Sequence, residues 1–136
     1  MTNKNALGHN KYFDLKMGLL SGLAMGTIVF FINWDHGIGL GLIAASKQVG
    51  YTFLAGGVMM RMTENIACRF SNTFAAIFLA VLIPTIIAVT LTYLLHSLKG
   101  TPEPLHSTIP TIILAPSGFL WWALIKRKQS GKTFSA

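Results

Sequence analysis

Four long apolar runs, separated by short polar segments, dominate the pattern of residues along the chain. Bounded by charged residues or histidines, they give spans at about 17–34, 39–60, 72–95 and 107–125. A helix needs about 20 such residues to cross the hydrocarbon core of a bilayer. Lipid offers no partner to backbone groups, and the chain lacks the alternation of a barrel, so helices are expected. The pattern predicts an all-α polytopic membrane protein, a single four-helix membrane domain over residues 1–136.

The positions of Lys and Arg indicate how these spans are oriented. One side is predicted to carry nine of them: Lys4, Lys11, Lys16, Arg61, Arg69, Lys126, Arg127, Lys128 and Lys132. The other side has only Lys99, while Lys47 lies inside the second span. Because loops rich in Lys and Arg stay in the cytoplasm, both termini are expected there, N-in and C-in. The four transmembrane helices then form two helical hairpins, and a bacterial inner (plasma) membrane is the predicted location.

Composition agrees with this class and excludes several others. The 136 residues are 52% hydrophobic and 11% charged, well below the roughly 25% charged residues of soluble domains. The net charge is +7, but the basic residues lie between apolar runs, so nucleic-acid binding is not expected. The single cysteine, Cys68, excludes an internal disulfide and a zinc site of several cysteines. No catalytic motif is present, so we expect no enzyme activity, no cofactor and no metal.

The two halves of the sequence resemble one another at a shift of about 60 residues. His36 and His96 each end the first helix of a pair, and Arg61 and Lys126 each follow the second helix. This favours a 2+2 repeat of parallel hairpins, an arrangement common in membrane transport proteins. The alternative is that any two hairpins of similar length align loosely.

Small residues recur at four-residue spacing in the first two spans. The two stripes are Gly18, Gly22 and Gly26, and Gly37, Gly41 and Ala45. Such stripes let helix backbones approach closely, and the short turn between the spans favours contact within the chain. Pro84 in the third span, with Pro110 and Pro116 in the fourth, is expected to bend its helix and leave space for a pocket.

Lys47 is the main candidate for chemistry, because a charged side chain at mid-bilayer costs about 2.5–3.5 kcal/mol. Gln48, Tyr51 and Thr52 lie on the adjoining helix faces. With Asp35 at the outer end, these residues form a polar strip. We expect the strip to bind an anionic group of a substrate, such as a phosphate or a carboxylate.

Two alternative roles for Lys47 stay open. The ammonium can reach the outer headgroups along its flexible stem, or it can pair with Asp35 or Glu103. Further polar residues, His36, His96 and His106, gather at the same outer face. Their spacing matches no metal motif, and we expect them to be solvated residues at helix ends.

The fourth span ends with Gly118-Phe119-Leu120-Trp121-Trp122, followed by Lys126-Arg127-Lys128. In size, two-hairpin plan and this ending, the chain loosely resembles the GtrA-like family, four-helix bacterial membrane proteins linked to moving polyprenyl-phosphate sugars. The likeness covers topology along the whole chain but residues only at this ending. The second span, ending Arg61-Met62-Thr63-Glu64, departs from the family's basic-aromatic pattern.

These features predict a non-enzymatic transporter, carrier or binder of an anionic lipid or lipid-linked molecule. Its partners would be membrane lipids, with further copies of the chain or a partner membrane protein. The rival prediction is a structural or assembly subunit of a larger membrane complex. In that case the glycine stripes would be docking surfaces, and Lys47 would meet a carboxylate on another chain.

Overall fold

The computed structural model describes residues 11–98 and 104–131, and this part of the chain is helical, with no strand. The elements are α1 (Leu15–Ile32), a short 3-10 helix (Trp34–His36), α2 (Ile38–Arg69), α3 (Thr73–Leu98) and α4 (Pro104–Gln129). The all-α prediction is therefore confirmed for these residues. The chain divides into two compact units, Met1–Arg61 and Met62–Ala136.

Three helical segments are long and apolar enough to cross a membrane: Leu15–Ile32, Thr73–Leu98 and Thr108–Gln129. They carry large exposed apolar side chains, such as Leu23 at 59% and Ile113 at 62% exposure. Such a surface suits lipid rather than water, which indicates an integral membrane protein. α2 has 32 residues but is not among the three, since Lys47 and Gln48 interrupt its apolar run.

Polar side chains at both ends of α1 explain its length. The Asp14 carboxylate caps the helix by accepting the N–H of Met17 over 3.0 Å. At the other end, the Asn33 side chain donates to the Val29 carbonyl over 2.8 Å. Gly37 then adopts a φ of 97°, a conformation that favours glycine, and the chain turns directly into α2.

The glycine stripe of α1 packs against the backbone of α2. A Cβ atom on Gly18 would lie 2.7 Å from the Phe53 carbonyl oxygen, and one on Gly22 would lie 3.0 Å from that of Val49. On Gly26 it would overlap the Val49 side chain. The prediction that these small residues serve contact within the chain is confirmed.

In the second unit, α3 packs against α4. Three alanines with no exposed surface, Ala67, Ala80 and Ala123, form a buried cluster against which Ile66 packs. Small side chains at these positions bring the helices close together. The three prolines lie inside helices, as predicted: Pro84 in α3, and Pro110 and Pro116 in α4.

α2 extends beyond residue 60, the predicted end of the second span, to Arg69. The charged residues there have partners: Arg61 lies 3.8 Å from Asp14, and Glu64 lies 3.5 Å from Lys126. The charges that end the apolar run therefore do not end the helix. Arg61 and Glu64 are therefore part of α2.

Candidate functional site

The polar strip predicted in α2 lies at the surface. Lys47 and Tyr51 are exposed, whereas Gln48 and Thr52 are half-buried. The Gln48 side-chain amide donates to the Thr52 hydroxyl over 2.9 Å, so these two polar groups bond to each other. The anion-binding role of the strip stays a prediction.

Of the two predicted counter-ions of Lys47, Asp35 is distant and Glu103 is not described by the structure. Asp35 is exposed in the 3-10 helix, and from Ile38 to Lys47 α2 rises roughly 14 Å. Glu103 lies outside the described residues. Among the ion pairs of residues 11–98 and 104–131, none involves Lys47.

The histidines predicted at the outer face are only partly described. His36 is exposed and His96 is half-buried, while the side chain of His106 lies outside the description. In the described part of the chain, no three His, Cys, Asp or Glu side chains are grouped to hold a metal ion.

Arg127, in the last turns of α4, is only 3% exposed and closes the end of the second hairpin. Its Nη1 donates to the carbonyls of Ala67 over 2.7 Å and Phe70 over 2.9 Å. Its Nη2 donates to the Ser71 carbonyl over 2.7 Å and the Thr73 hydroxyl over 2.9 Å. One planar guanidinium thus joins α4 to the end of α2, the connecting segment and the first residue of α3.

No acidic side chain of the described residues compensates the positive charge of this buried group. A guanidinium has five N–H donors, and the fifth, on Nε of Arg127, is buried without a partner among the described residues. The other four donors meet neutral oxygens, and no described carboxylate pairs with the group. A buried charge in this state favours a bound anion.

An arginine of the first unit occupies a comparable place. Arg61 lies 3.8 Å from the Asp14 carboxylate, and the Asp14 N–H donates to the Gly57 carbonyl over 2.9 Å. In the second unit, the side chain of Asn72 caps α3 as that of Asp14 caps α1. In each unit, therefore, an arginine of the second helix contacts the segment that begins the first helix.

A groove of about 1060 Å³ runs along α3 and α4. Its polar end is lined by Ser71, Asn72, Thr73 and Arg127. Its walls are apolar, with Phe78 and Val81 of α3 and Leu120 of α4 among them, and it reaches Thr85. Between Thr73 and Thr85 α3 rises roughly 18 Å, so the groove is long, with apolar walls and one polar end.

The polar end of the groove has further features that attract negative charge. The N-terminus of a helix such as α3 bears a partial positive charge and free N–H groups. Arg69 and Lys128, both exposed, stand close in sequence to Ser71 and Arg127. Buried charge, helix dipole and exposed basic residues therefore favour an anion at this end.

Lys126, next to Arg127 in sequence, is held by other partners. Its ammonium lies 3.5 Å from a Glu64 carboxylate oxygen and 4.6 Å from the centre of the Trp122 ring. The Cys68 thiol donates to its carbonyl over 3.7 Å. These contacts attach α4 to the C-terminal part of α2, so Lys126 has a structural role.

Sequence reasoning did not identify Arg127 as a site residue, because it stands between two lysines in a basic run. A signal was nevertheless present. Phe119, Ala123 and Arg127 follow at four-residue spacing, and all three are buried. The buried face of α4 therefore continues into the basic run and includes its middle residue, Arg127.

The chain was compared with protein-family models, curated proteins and solved structures, and none matches. The resemblance to the GtrA-like family stays a prediction from the sequence. Function is therefore inferred from the groove.

Proposed function

We propose that the protein is a non-enzymatic integral membrane protein that binds an anionic lipid, or a lipid-linked molecule, in the α3–α4 groove and acts as its carrier. The observation that carries the proposal is the pairing of a buried, uncompensated Arg127 with apolar walls. Lipids have the same division between a charged head and an apolar tail.

The head group would bind where Arg127 meets the start of α3. Four hydrogen bonds already fix the guanidinium, so its positive charge is held in place before a ligand arrives. The hydroxyl of the exposed Ser71 supplies a hydrogen-bond donor at the same end. A phosphate oxygen accepts such charge-assisted hydrogen bonds well.

The tail would lie along Phe78, Val81 and Leu120. Lipid tails are as apolar as these side chains, so an acyl or polyprenyl chain gains little free energy by moving from the bilayer into the groove. Selectivity must therefore come from the head group. The protein should choose among lipids by charge, and only weakly by tail.

The proposal assumes that the chain crosses the membrane four times, with both termini in the cytoplasm. α2 is about 48 Å long at 1.5 Å per residue, enough to cross a core of about 30 Å despite Lys47. The arginines of the two units, Arg61 and Arg127, support a duplicated hairpin. The basic end of the groove would then face the cytoplasmic leaflet of a bacterial inner membrane.

Lipid binding to the purified protein in vesicles tests the proposal, with phosphatidylglycerol and phosphatidylcholine of identical tails as probes. Val81→Trp fills the groove, whereas Ile83→Trp places the same side chain on α3 at a residue outside the groove lining. We expect wild type and Ile83→Trp to prefer phosphatidylglycerol about tenfold, as charge-assisted hydrogen bonds allow. Val81→Trp should lose that preference. Equal binding of both lipids by wild type contradicts the proposal.

A structural or assembly subunit of a larger membrane complex is the second candidate. The exposure of Lys47 within an otherwise apolar part of α2 favours it. This role is compatible with lipid binding, because Lys47 takes no part in the groove.

A further inference from the structure

One exposed face of α2 combines a charge, an open glycine and large apolar side chains. Ile43, Lys47, Gly50 and Leu54 are all exposed and follow at the three- and four-residue spacing of a single helix face. A Cβ atom on Gly50 would meet nothing within 4 Å. Below, this set of four residues is called the Lys47 face.

At most of the other helical glycines, the space that a side chain would take is already filled by contacts within the chain. An added Cβ atom would touch a neighbour at each of Gly18, Gly22, Gly26, Gly41, Gly56 and Gly57. Gly39 and Gly50 differ, because no part of the described chain uses the close approach that they permit, and of these two only Gly50 lies beside Lys47 on one helix face. A small residue beside a charge on a lipid-facing helix suits the docking of another helix.

The proposed topology leaves Lys47 without an acidic partner in its own chain. The sequence has four Asp and Glu in total. Asp14 lies with Arg61, and Glu64 lies with Lys126. Asp35 precedes α2, and Glu103, which lies outside the described residues, is in the second outer loop of the proposed topology.

A second copy of the chain cannot supply the carboxylate either. In a parallel assembly its Asp35 would lie at the same depth as that of the first copy, roughly 14 Å along the helix axis from Lys47. A lysine side chain does not span that distance. Charged side chains at this depth of a membrane are rare, and they pair with one another or with backbone carbonyls.

We infer that the Lys47 face docks a transmembrane helix of a different protein that carries an Asp or Glu near its middle. The carboxylate would pair with the Lys47 ammonium, and Gly50, about one turn away, would let the two backbones approach. Ile43 and Leu54 would pack on either side. This inference depends on α2 crossing the bilayer, but it is independent of lipid binding in the groove.

Two synthetic helices of about 20 leucine and alanine residues, one with a central Glu and the other with a central Gln, test the inference. Energy transfer between labelled full-length protein and labelled helix reports association in phosphatidylcholine vesicles. We expect wild type to bind the Glu helix about tenfold more strongly than the Gln helix, since each 1.4 kcal/mol of pairing is worth tenfold. Lys47→Arg should keep this preference.

The preference should disappear in Lys47→Gln and weaken in Gly50→Leu, which keeps the charge but blocks the approach. Lys16→Gln, which removes an exposed charge elsewhere, should behave as wild type. Equal binding of both helices, or a preference that survives in Lys47→Gln, overturns the inference. So does a preference abolished by adding phosphatidylglycerol, which would assign Lys47 to lipid headgroups. Energy transfer between two labelled copies of the chain that depends on Lys47 would assign the Lys47 face to self-association. That result would also overturn the inference. None of these results affects the lipid preference of the groove.

Discussion

Arg127 Nη2 donates to the Thr73 hydroxyl over 2.9 Å and so ties the last turns of α4 to the first residue of α3. The same guanidinium lines the polar end of the groove. The side chain that closes this hairpin is therefore the one proposed to attract the lipid head group, and stability and binding should respond together to its replacement.

Replacement of Arg127 should destabilise the second hairpin strongly. Arg127→Met removes four hydrogen bonds, one of them to the carbonyl of the buried Ala67, so we expect a loss of about 3 kcal/mol in the free energy of unfolding. Arg127→Lys should recover part of this, because an ammonium has three donors without the planar fork. Unfolding in mixed detergent micelles measures the effect. Lys128→Met, at an exposed neighbour, should stay within about 0.5 kcal/mol of wild type; a similar value for Arg127→Met would contradict the described role.

The cap of α1 should be separable from the ion pair of its carboxylate. Asp14→Asn keeps an oxygen that can accept the Met17 N–H but removes the charge facing Arg61. Asp14→Ala removes both. Since Asn caps helices about as well as Asp, Asp14→Ala should be less stable than Asp14→Asn by about 1 kcal/mol. The same unfolding assay decides; equal stabilities would mean that the cap contributes nothing.

Much of the fold could be predicted from the hydropathy pattern. The predicted first span, 17–34, differs from α1 by two residues at each end, because Asp14 begins the helix and Asn33 ends it. The predicted second span stops at residue 60, where charges begin, whereas α2 continues to Arg69. That difference depends on Asp14 and Lys126, which are distant in sequence and pair with charges of α2. The hydropathy pattern cannot show such partners, because it depends only on residues that are close in the sequence.

Replacement by alanine should change the stability of the protein in opposite directions at Gly22 and at Gly50. At Gly22 a Cβ atom would lie 3.0 Å from a backbone oxygen of Val49, whereas at Gly50 it would meet nothing within 4 Å. Gly22→Ala should therefore destabilise the first hairpin by about 1–3 kcal/mol. Gly50→Ala should stabilise α2 by about 0.5–1 kcal/mol, because alanine is the better helix former. Thermal unfolding of the two variants beside wild type checks the prediction, which fails if both shift in the same direction.

The proposed topology predicts the side from which each end can be labelled. In a Cys68→Ala background, His36→Cys should react with a membrane-impermeant maleimide added outside intact cells, and Lys128→Cys should react only after the cells are opened. Both residues are exposed, so accessibility to the reagent is set by the membrane. Labelling of both residues from the same side would contradict the proposed topology. With both termini in the cytoplasm and α1 crossing the membrane, His36 has to lie outside and Lys128 inside.

The candidate site was less predictable than the fold. Lys47 stands out in the sequence because one charge interrupts an apolar run, yet the structure places it at an exposed position. Arg127 is concealed in a basic run that reads as a topology signal, although its neighbours on both sides differ from it in environment. Lys126 pairs with Glu64, and Lys128 is exposed. The packing of the helices shows that Arg127 is the buried residue of the three, and in the sequence its four-residue spacing from Phe119 and Ala123 is the sign of it.

Photolabelling tests lipid binding in the groove most directly. The probe is phosphatidylglycerol with a diazirine midway along one tail, and the adducts are mapped by mass spectrometry on the full-length protein in vesicles. Binding in the groove predicts adducts on its walls, around Val81 and Leu120, that unlabelled phosphatidylglycerol displaces and phosphatidylcholine does not. Adducts spread over exposed apolar faces such as that of Leu23, with no dependence on the competitor's head group, would contradict it.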